Sequence, residues 1–225
     1  MLVPYRKTIF AQDQIYHVFN RGVASLPIFL SKAYHQRFIQ LIEYYRFVNT
    51  PISFSHFIQI AKETKDQIIE TLIKENIVHI EILAFCLMPN HFHFLLKQIS
   101  DKGIIKFMSN LQNGYVKYLN IKGGRVGPLF QSAFKAKHIE SDEQLLHVSR
   151  YIHLNPTTSY LVSKEKLSQY PWSSFPSYIG SSLYLFVNTE IINSFFKDQE
   201  KHKEFIIDQI DYQRQLANIK HLVLE

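Results

Sequence analysis

Two histidines one residue apart, His91 and His93, and a tyrosine and an asparagine four apart, Tyr151 and Asn155, could do chemistry by type and spacing. In an extended strand, side chains two apart leave on the same face, so His91 and His93 project together while Phe92 turns into the core. Neutral imidazoles placed this way make a two-pronged cation site. They leave the ion its full charge to act as a Lewis acid on a phosphate oxygen. A third ligand is still required. On a helix, residues four apart share a face, so Tyr151, Asn155 and His147 line up together. Leu145, Val148 and Ile152 fall on the roughly opposite face, suited to packing on a sheet. That helix offers a nucleophile and an amide oxygen ligand side by side. A phenol with a pKa of about 10 is a poor nucleophile at neutral pH, but a metal-bound phosphate within reach lowers the cost of its charge. Attack on phosphorus would give a phosphotyrosine link that conserves the bond energy for rejoining. No nucleotide cofactor is then needed, and no G-x-x-x-x-G-K-[ST] loop is present. Eleven histidines and 13 tyrosines also produce such spacings by accident, so spacing alone leaves Tyr151 open to being a packing residue.

The elements that must position these residues follow from periodicity. Residues 16–22 read as a strand ended by a turn, 32–48 as a helix, and 62–76 as an amphipathic helix, while 52–60 fits a strand or a helix start. An apolar strand over 77–88 and a second over 92–96 are joined by the Pro89-Asn90 turn. The histidine pair therefore opens a strand, which places it at a sheet edge that a ligand can approach. A helix over 104–121 stops at Gly123-Gly124, 134–139 alternates like a strand, and Ser141-Asp142-Glu143-Gln144 starts a capped helix that must end near Asn155-Pro156. This order predicts an α+β fold: a ferredoxin-like split βαβ sheet with an added catalytic helix over residues 1–180. A C-terminal helical appendage is expected over 181–225, with Phe195, Phe196, Phe205 and Ile206 as its contacts.

The chain has 225 residues, 46% of them hydrophobic, and needs no disulfide to bury a core. Its one cysteine, Cys86, lies in an apolar run as an inert thiol, and the N-terminus lacks a signal-peptide core. A cytoplasmic protein is expected, with no membrane partner. The net charge is +6. From Lys97 to Lys137 there are eight basic residues against one acid, Asp101, interleaved with Phe107, Tyr115, Tyr118, Phe130 and Phe134. That mixture suits neutralising a phosphate backbone and stacking single-stranded bases, or equally a solvated helix face over core aromatics. Lys97, Lys106, Lys117, Arg125, Lys135 and Lys137 are the candidate DNA contacts, with Arg21 at a strand end. His17 reads as a satisfied sheet histidine.

Leu87-Met88-Pro89-Asn90-His91-Phe92-His93-Phe94-Leu95-Leu96 resembles the M-P-N-H-hydrophobic-H signature of the HUH transposases of the insertion-sequence two-hundred type. Tyr16-His17-Val18-Phe19-Asn20-Arg21-Gly22, Gly127-Pro128-Leu129-Phe130-Gln131 and Arg150-Tyr151-Ile152-His153-Leu154-Asn155-Pro156 resemble, in order, blocks of the REP-associated tyrosine transposase branch. Pro171-Trp172-Ser173-Ser174 resembles its C-terminal block. The resemblance implies a divalent metal, Mg2+ or Mn2+, held by His91 and His93 with Asn155 as the helical amide ligand. It implies that Tyr151 bonds to the 5′ phosphate of single-stranded or hairpin DNA and leaves a free 3′ hydroxyl. It leaves a homodimer open. The chain departs from the pattern at Ser132-Ala133, where a basic residue is implied. Two other readings stay in view: a domesticated DNA-binding module without transposition, and a water-using metal phosphodiesterase in which Tyr151 only packs. Tyr115 and Tyr118 compete with Tyr151 as nucleophile, but Leu119 and Lys122 follow them four residues on, where Tyr151 has Asn155.

Overall fold

A computed structural model describes residues 8–180 and 183–210. Strands β1 (Ile15–Arg21), β2 (Ile80–Met88), β3 (His91–Gln98) and β4 (Lys135–His138) form one antiparallel sheet in the order β2-β3-β1-β4. Helix α1 (Lys32–Tyr45) follows β1, and α4 (Gly103–Gly123) connects β3 to β4. With α1 and α4 on one face this is the ferredoxin-like order, and the fold is α+β as expected. Between α1 and β2 lie α2 (Phe54–Phe57) and α3 (Lys62–Glu75). The ambiguous stretch 52–60 is thus a short helix, capped by the Ser53 side chain.

Period two sorts the strand side chains into two layers. Tyr16, Val18, Phe85, Leu87, Phe92, Phe94 and Leu96 turn towards α1 and α4 and pack with Phe38, Leu41, Phe107, Leu111 and Tyr115. The opposite face receives α5 (Asp142–Thr158), whose Leu145 and Ile152 are buried against Ala84, Cys86 and Leu95, with Val148 half-buried beside them. Ser141 caps α5 by accepting from Gln144 N at 3.2 Å, and Gln144 Oε1 accepts in return from Glu140 N at 2.7 Å.

Two expectations are corrected here. The histidine pair is not at a sheet edge: the crossover from β1 to β2 leaves room for β3 between them, so β3 is paired on both sides and is approached only from the face on which α5 lies. Nor does α5 end at Asn155-Pro156, since it continues to Thr158 with Pro156 inside it. Proline inside a helix lacks the N–H and crowds the carbonyl four residues back, a cost offset here by the burial of Leu154, Asn155, Pro156 and Thr157. The following turn closes through Ser159 N to Asn155 O at 3.0 Å and Leu161 N to Pro156 O at 2.9 Å.

The outer edge of β2 is covered. Residues 172–174 lie along it, with Leu87 N donating to Trp172 O at 2.8 Å and Ser174 N to Phe85 O at 3.0 Å. Beyond α6 (Phe175–Tyr178) come α7 (Glu190–Asn193) and α8 (Gln199–Ile207), of which α8 packs against α5 and α6. Ile192 joins the layer under α5, while Ile206 and Ile210 pack with Leu154, Leu167 and Phe175. Arg150 reaches from α5 to the Phe205 carbonyl at 3.3 Å and lies 4.1 Å over its ring. Within the described residues the C-terminal segment is therefore a buttress of the same core, and the rest of the expected appendage, 181–182 and 211–225, lies outside them. Among the described residues no helix is long and apolar enough to cross a membrane.

Two buried histidines join these layers, His153 linking α5 to the segment beside β2 and His202 linking α8 to α7. His153 Nε2 bonds Ser174 Oγ at 2.8 Å, and His202 Nδ1 bonds Asn193 Oδ1 at 2.9 Å. Burial holds His202 down to about 4, and burial, with His202 nearby, holds His153 well below its ordinary value. The unfolded chain binds more protons below about pH 6.5, so the stability these residues contribute is complete above that pH and is lost as pH falls towards 4. The thermal midpoint should decline through that window, and His202→Phe should flatten part of the decline. A midpoint independent of pH there would contradict the burial of neutral histidines.

Candidate active site

The register of β1 against β3 builds the site. Arg21 lies opposite His91, Phe19 opposite His93 and His17 opposite Leu95, so all of these share the face that α5 covers. Lys135 and Lys137 of β4 pair with Phe19 and His17 and extend that face to the sheet's edge. Helix α5 sets Tyr151 above it, with the ring edge-on to His93 at a centroid distance of 5.4 Å and to His17 at 6.1 Å. The His91 and His93 rings are 5.0 Å apart. His91, His93, Tyr151 and Asn155 thus converge within one chain.

Hydrogen bonds orient each of these side chains. Asn90 Nδ2 donates to Ser25 O at 2.9 Å, so its Oδ1 is the acceptor that meets His91 Nδ1 at 2.6 Å. The proton of His91 is then on Nδ1 and the lone pair on Nε2. His93 Nδ1 meets His17 Nε2 at 2.9 Å. Asn155 Nδ2 donates to the Tyr151 carbonyl at 2.8 Å, which leaves its Oδ1 as an acceptor. The Asn155 side chain is also in hydrogen-bonding reach of His91 and of the Tyr151 phenol.

The electrostatics favour neutral imidazoles. Burial, and then the charge of Arg21, hold His91 down to about 4, against a raising hydrogen bond with Asn155. His93 lies well below its ordinary value through burial and its neighbours His17, His91 and Arg21. His17 is held to about 4 by burial and Lys137. Both candidate ligands are therefore unprotonated at neutral pH. Tyr151 is 40% exposed, yet its partial burial raises the phenol, while Asn155 and Arg21 pull it back down. Among the described residues no three His, Cys, Asp or Glu side chains converge to hold a metal. A cation here would be held by His91, His93 and the Asn155 amide oxygen, an N, N, O set that suits a divalent ion and leaves positions open for water and phosphate oxygens.

The expected residues do not all gather here. Arg21, Lys135 and Lys137 share the face. Lys97 is four residues past His93, about 13 Å along the strand, and is paired with Asp13 at 3.4 Å. Lys106 and Lys117 are exposed on α4, across the sheet, and Arg125 is in the exposed loop after it. Tyr115 is buried on that far side and donates to Ile28 O. Tyr118 is there too, with Arg37 4.7 Å over its ring. His147 bonds Arg150 at 2.6 Å. His17 is the residue whose place the sequence reading missed: it is satisfied, but by His93 itself, and a diagonal cross-strand contact leaves no local signal. Ser132 and Ala133, where a basic residue was implied, line a groove of about 750 Å³ along β4 with Lys135 and Lys137.

The chain matches the family described as Transposase IS200 like over residues 42–155. Among solved structures it is similar to a REP-associated tyrosine transposase bound to a REP hairpin. That alignment covers 81% of this chain and 88% of that one, at 14% identity and a TM-score of 0.53, a likeness of fold. A tRNA(His) guanylyltransferase from Saccharomyces cerevisiae aligns over 90% of this chain and 80% of its own at 11% identity, with a TM-score of 0.33 too low to carry an argument. No curated protein matches the chain significantly.

The approach to His91 is built on close backbone packing at Gly22. Gly22 N donates to Asn90 O at 2.8 Å, and Val23 N and Gln131 N bond Leu129 O and Arg21 O at 2.9 and 3.0 Å. A Cβ on Gly22 would stand 2.3 Å from Leu26 O and 2.8 Å from Ile28 Cγ2, so the 22–28 turn would have to move away from Asn90. Gly22→Ala should cost about 1–3 kcal/mol, the range of an overpacked site, as read by denaturant unfolding. Unchanged stability would mean that the turn has slack and does not hold Asn90.

Proposed function

This chain belongs to the Transposase IS200 like family, and from that premise we propose that it nicks and rejoins single-stranded DNA at hairpin-forming ends through a covalent link to Tyr151. The observation that carries this reading is the convergence of Tyr151 with His91, His93 and Asn155 on one open face of one chain. DNA is the proposed partner by analogy with the hairpin-bound structural neighbour. The catalytic unit is proposed to be residues 1–180, with the segment after it supporting α5 from outside.

On this reading Arg21, Lys135 and Lys137 draw the phosphate backbone across the face that carries the histidines. His91 and His93, neutral and buried, and the Asn155 oxygen would hold a divalent ion, Mg2+ or Mn2+. When bound, that ion supplies Lewis-acid polarisation of a phosphate oxygen. The Tyr151 phenol, held above its ordinary value, stays protonated in the free protein, so the nucleophile develops only with DNA and cation in place. Asn155 and Arg21 then stabilise its growing charge. Tyr151 Oη forms a bond to phosphorus as the bond to the 3′ oxygen breaks, the phenolic proton is released, and the 3′ oxygen takes up a proton. Exposure of 40% gives DNA access to the phenol.

Full-length protein incubated with a single-stranded hairpin and Mn2+ should give a protein–DNA adduct that survives a denaturing gel. Tyr151→Phe should abolish it with little change in DNA affinity, and Tyr115→Phe should retain it. An adduct on Tyr151→Phe would move the nucleophile elsewhere, and cleavage without any adduct would make the enzyme a water-using phosphodiesterase. Lys135→Ala and Lys137→Ala should each reduce the slope of log affinity against log salt by about 1. An unchanged slope would remove β4 from the DNA path.

A further inference from the structure

Resting on the reading of His91 and His93 as metal ligands, we propose that His17 is a positioning residue that aims His93. Its Nε2 accepts the proton on His93 Nδ1 and so keeps the lone pair of His93 Nε2 free for the cation. A neutral imidazole has one lone pair, and the partner of one nitrogen decides the state of the other. For His91 that choice is made by Asn90, whose Oδ1, 2.6 Å from Nδ1, can only accept. For His93 the partner is another imidazole at 2.9 Å, which can accept or donate. If His17 donates, His93 carries its proton on Nε2 and is closed to metal. If His17 accepts, His93 is open, and His17 carries its own proton on Nδ1. A cation held by His93 Nε2 would require the second arrangement, in which both rings carry their protons on Nδ1.

The surroundings of His17 hold it in that role. It is 9% exposed on β1, opposite Leu95 and diagonal to His93, and its ring lies nearly parallel to that of His93 at 5.1 Å. Phe19 flanks it at 4.9 Å and the edge of Tyr151 closes over it at 6.1 Å. The ring therefore cannot swing to another partner without disturbing β1 and β3, both of which are paired on each side. His17 also meets His93 on its Nδ1 flank. From there its Nε2 is directed away from an ion held by His93 Nε2, which makes it a support for a ligand and not a ligand.

Three readouts on the full chain without DNA test this. Titration calorimetry with Mn2+ should show His17→Gln, which keeps an acceptor near the Nε2 position, within a few-fold of wild type. His17→Phe, which fills the space without an acceptor, should bind Mn2+ about 10–100-fold more weakly while still melting as a folded protein, at a somewhat lower midpoint. Equal affinity for His17→Phe and wild type would overturn the proposal. A reading that needs no variant is long-range 15N–1H NMR of the imidazoles in Mg2+-saturated wild type, which should place the His93 proton on Nδ1; a proton on Nε2 overturns the proposal. Pulsed EPR of bound Mn2+ should count two coordinated imidazoles, and a third would make His17 a ligand. If His91→Ala and His93→Ala both bind Mn2+ like wild type, it is the metal reading itself that fails.

Discussion

Along β3 the side chains alternate between two very different environments, and hydrogen-bonded strands on both sides prevent the alternation from slipping. Phe92 and Phe94 fill the layer under α1 and α4, each fully buried. Burying a phenylalanine stabilises by roughly 1.5–3 kcal/mol, so a slip by one residue would withdraw two such rings from that layer and put two imidazoles among Phe38 and Phe107 in their place. The same period-two rule that packs the core therefore delivers His91 and His93 to the open face. It carries Arg21, His17, Lys135 and Lys137 there through the neighbouring strands. The histidine half of the candidate site thus follows from core register, with the Pro89-Asn90 turn orienting His91.

The second half of the chemistry arrives on α5, whose height over the sheet is set by Leu145 and Ile152 beneath it and by the C-terminal helices above. Arg150, next to the nucleophile candidate in sequence, points the other way and fastens α5 to α8 through Phe205. Ser174 does the same from the β2 side, accepting from Phe85 N at 2.8 Å and bonding His153 at 2.8 Å. Tyr151 and Asn155 are thus presented by a helix clamped on two sides. Their approach to His93 and His91 is a property of the packed domain, not of the helix alone.

The charge distribution separates two tasks. Cations on β1 and β4 share the face of the histidines, where Arg21 and Lys137 add to the effect of burial in holding His91 and His17 below their ordinary values. Those on α4 lie across the sheet, where Lys117 lines a cleft of about 610 Å³ with Arg37, Lys122 and Tyr118. A single basic stretch of sequence is divided between both sides because α4 and β4 pack on different layers.

What the sequence by itself determined was local. Alternation in 91–96, the Pro89-Asn90 turn, the four-residue spacing of Tyr151 and Asn155, and the order of strands and helices were legible because period and turn chemistry depend on neighbours in the chain. Tertiary structure decided what depends on partners distant in sequence. It placed β3 inside the sheet, since only the crossover from β1 to β2 determines what pairs beside it. It carried α5 past Pro156, because one missing N–H is offset by a packed helix. It buried Tyr115 and left Tyr151 reachable, though both sit in helices of similar pattern. And it set His17 against His93, 76 residues apart, a contact fixed by strand register and invisible to any spacing rule.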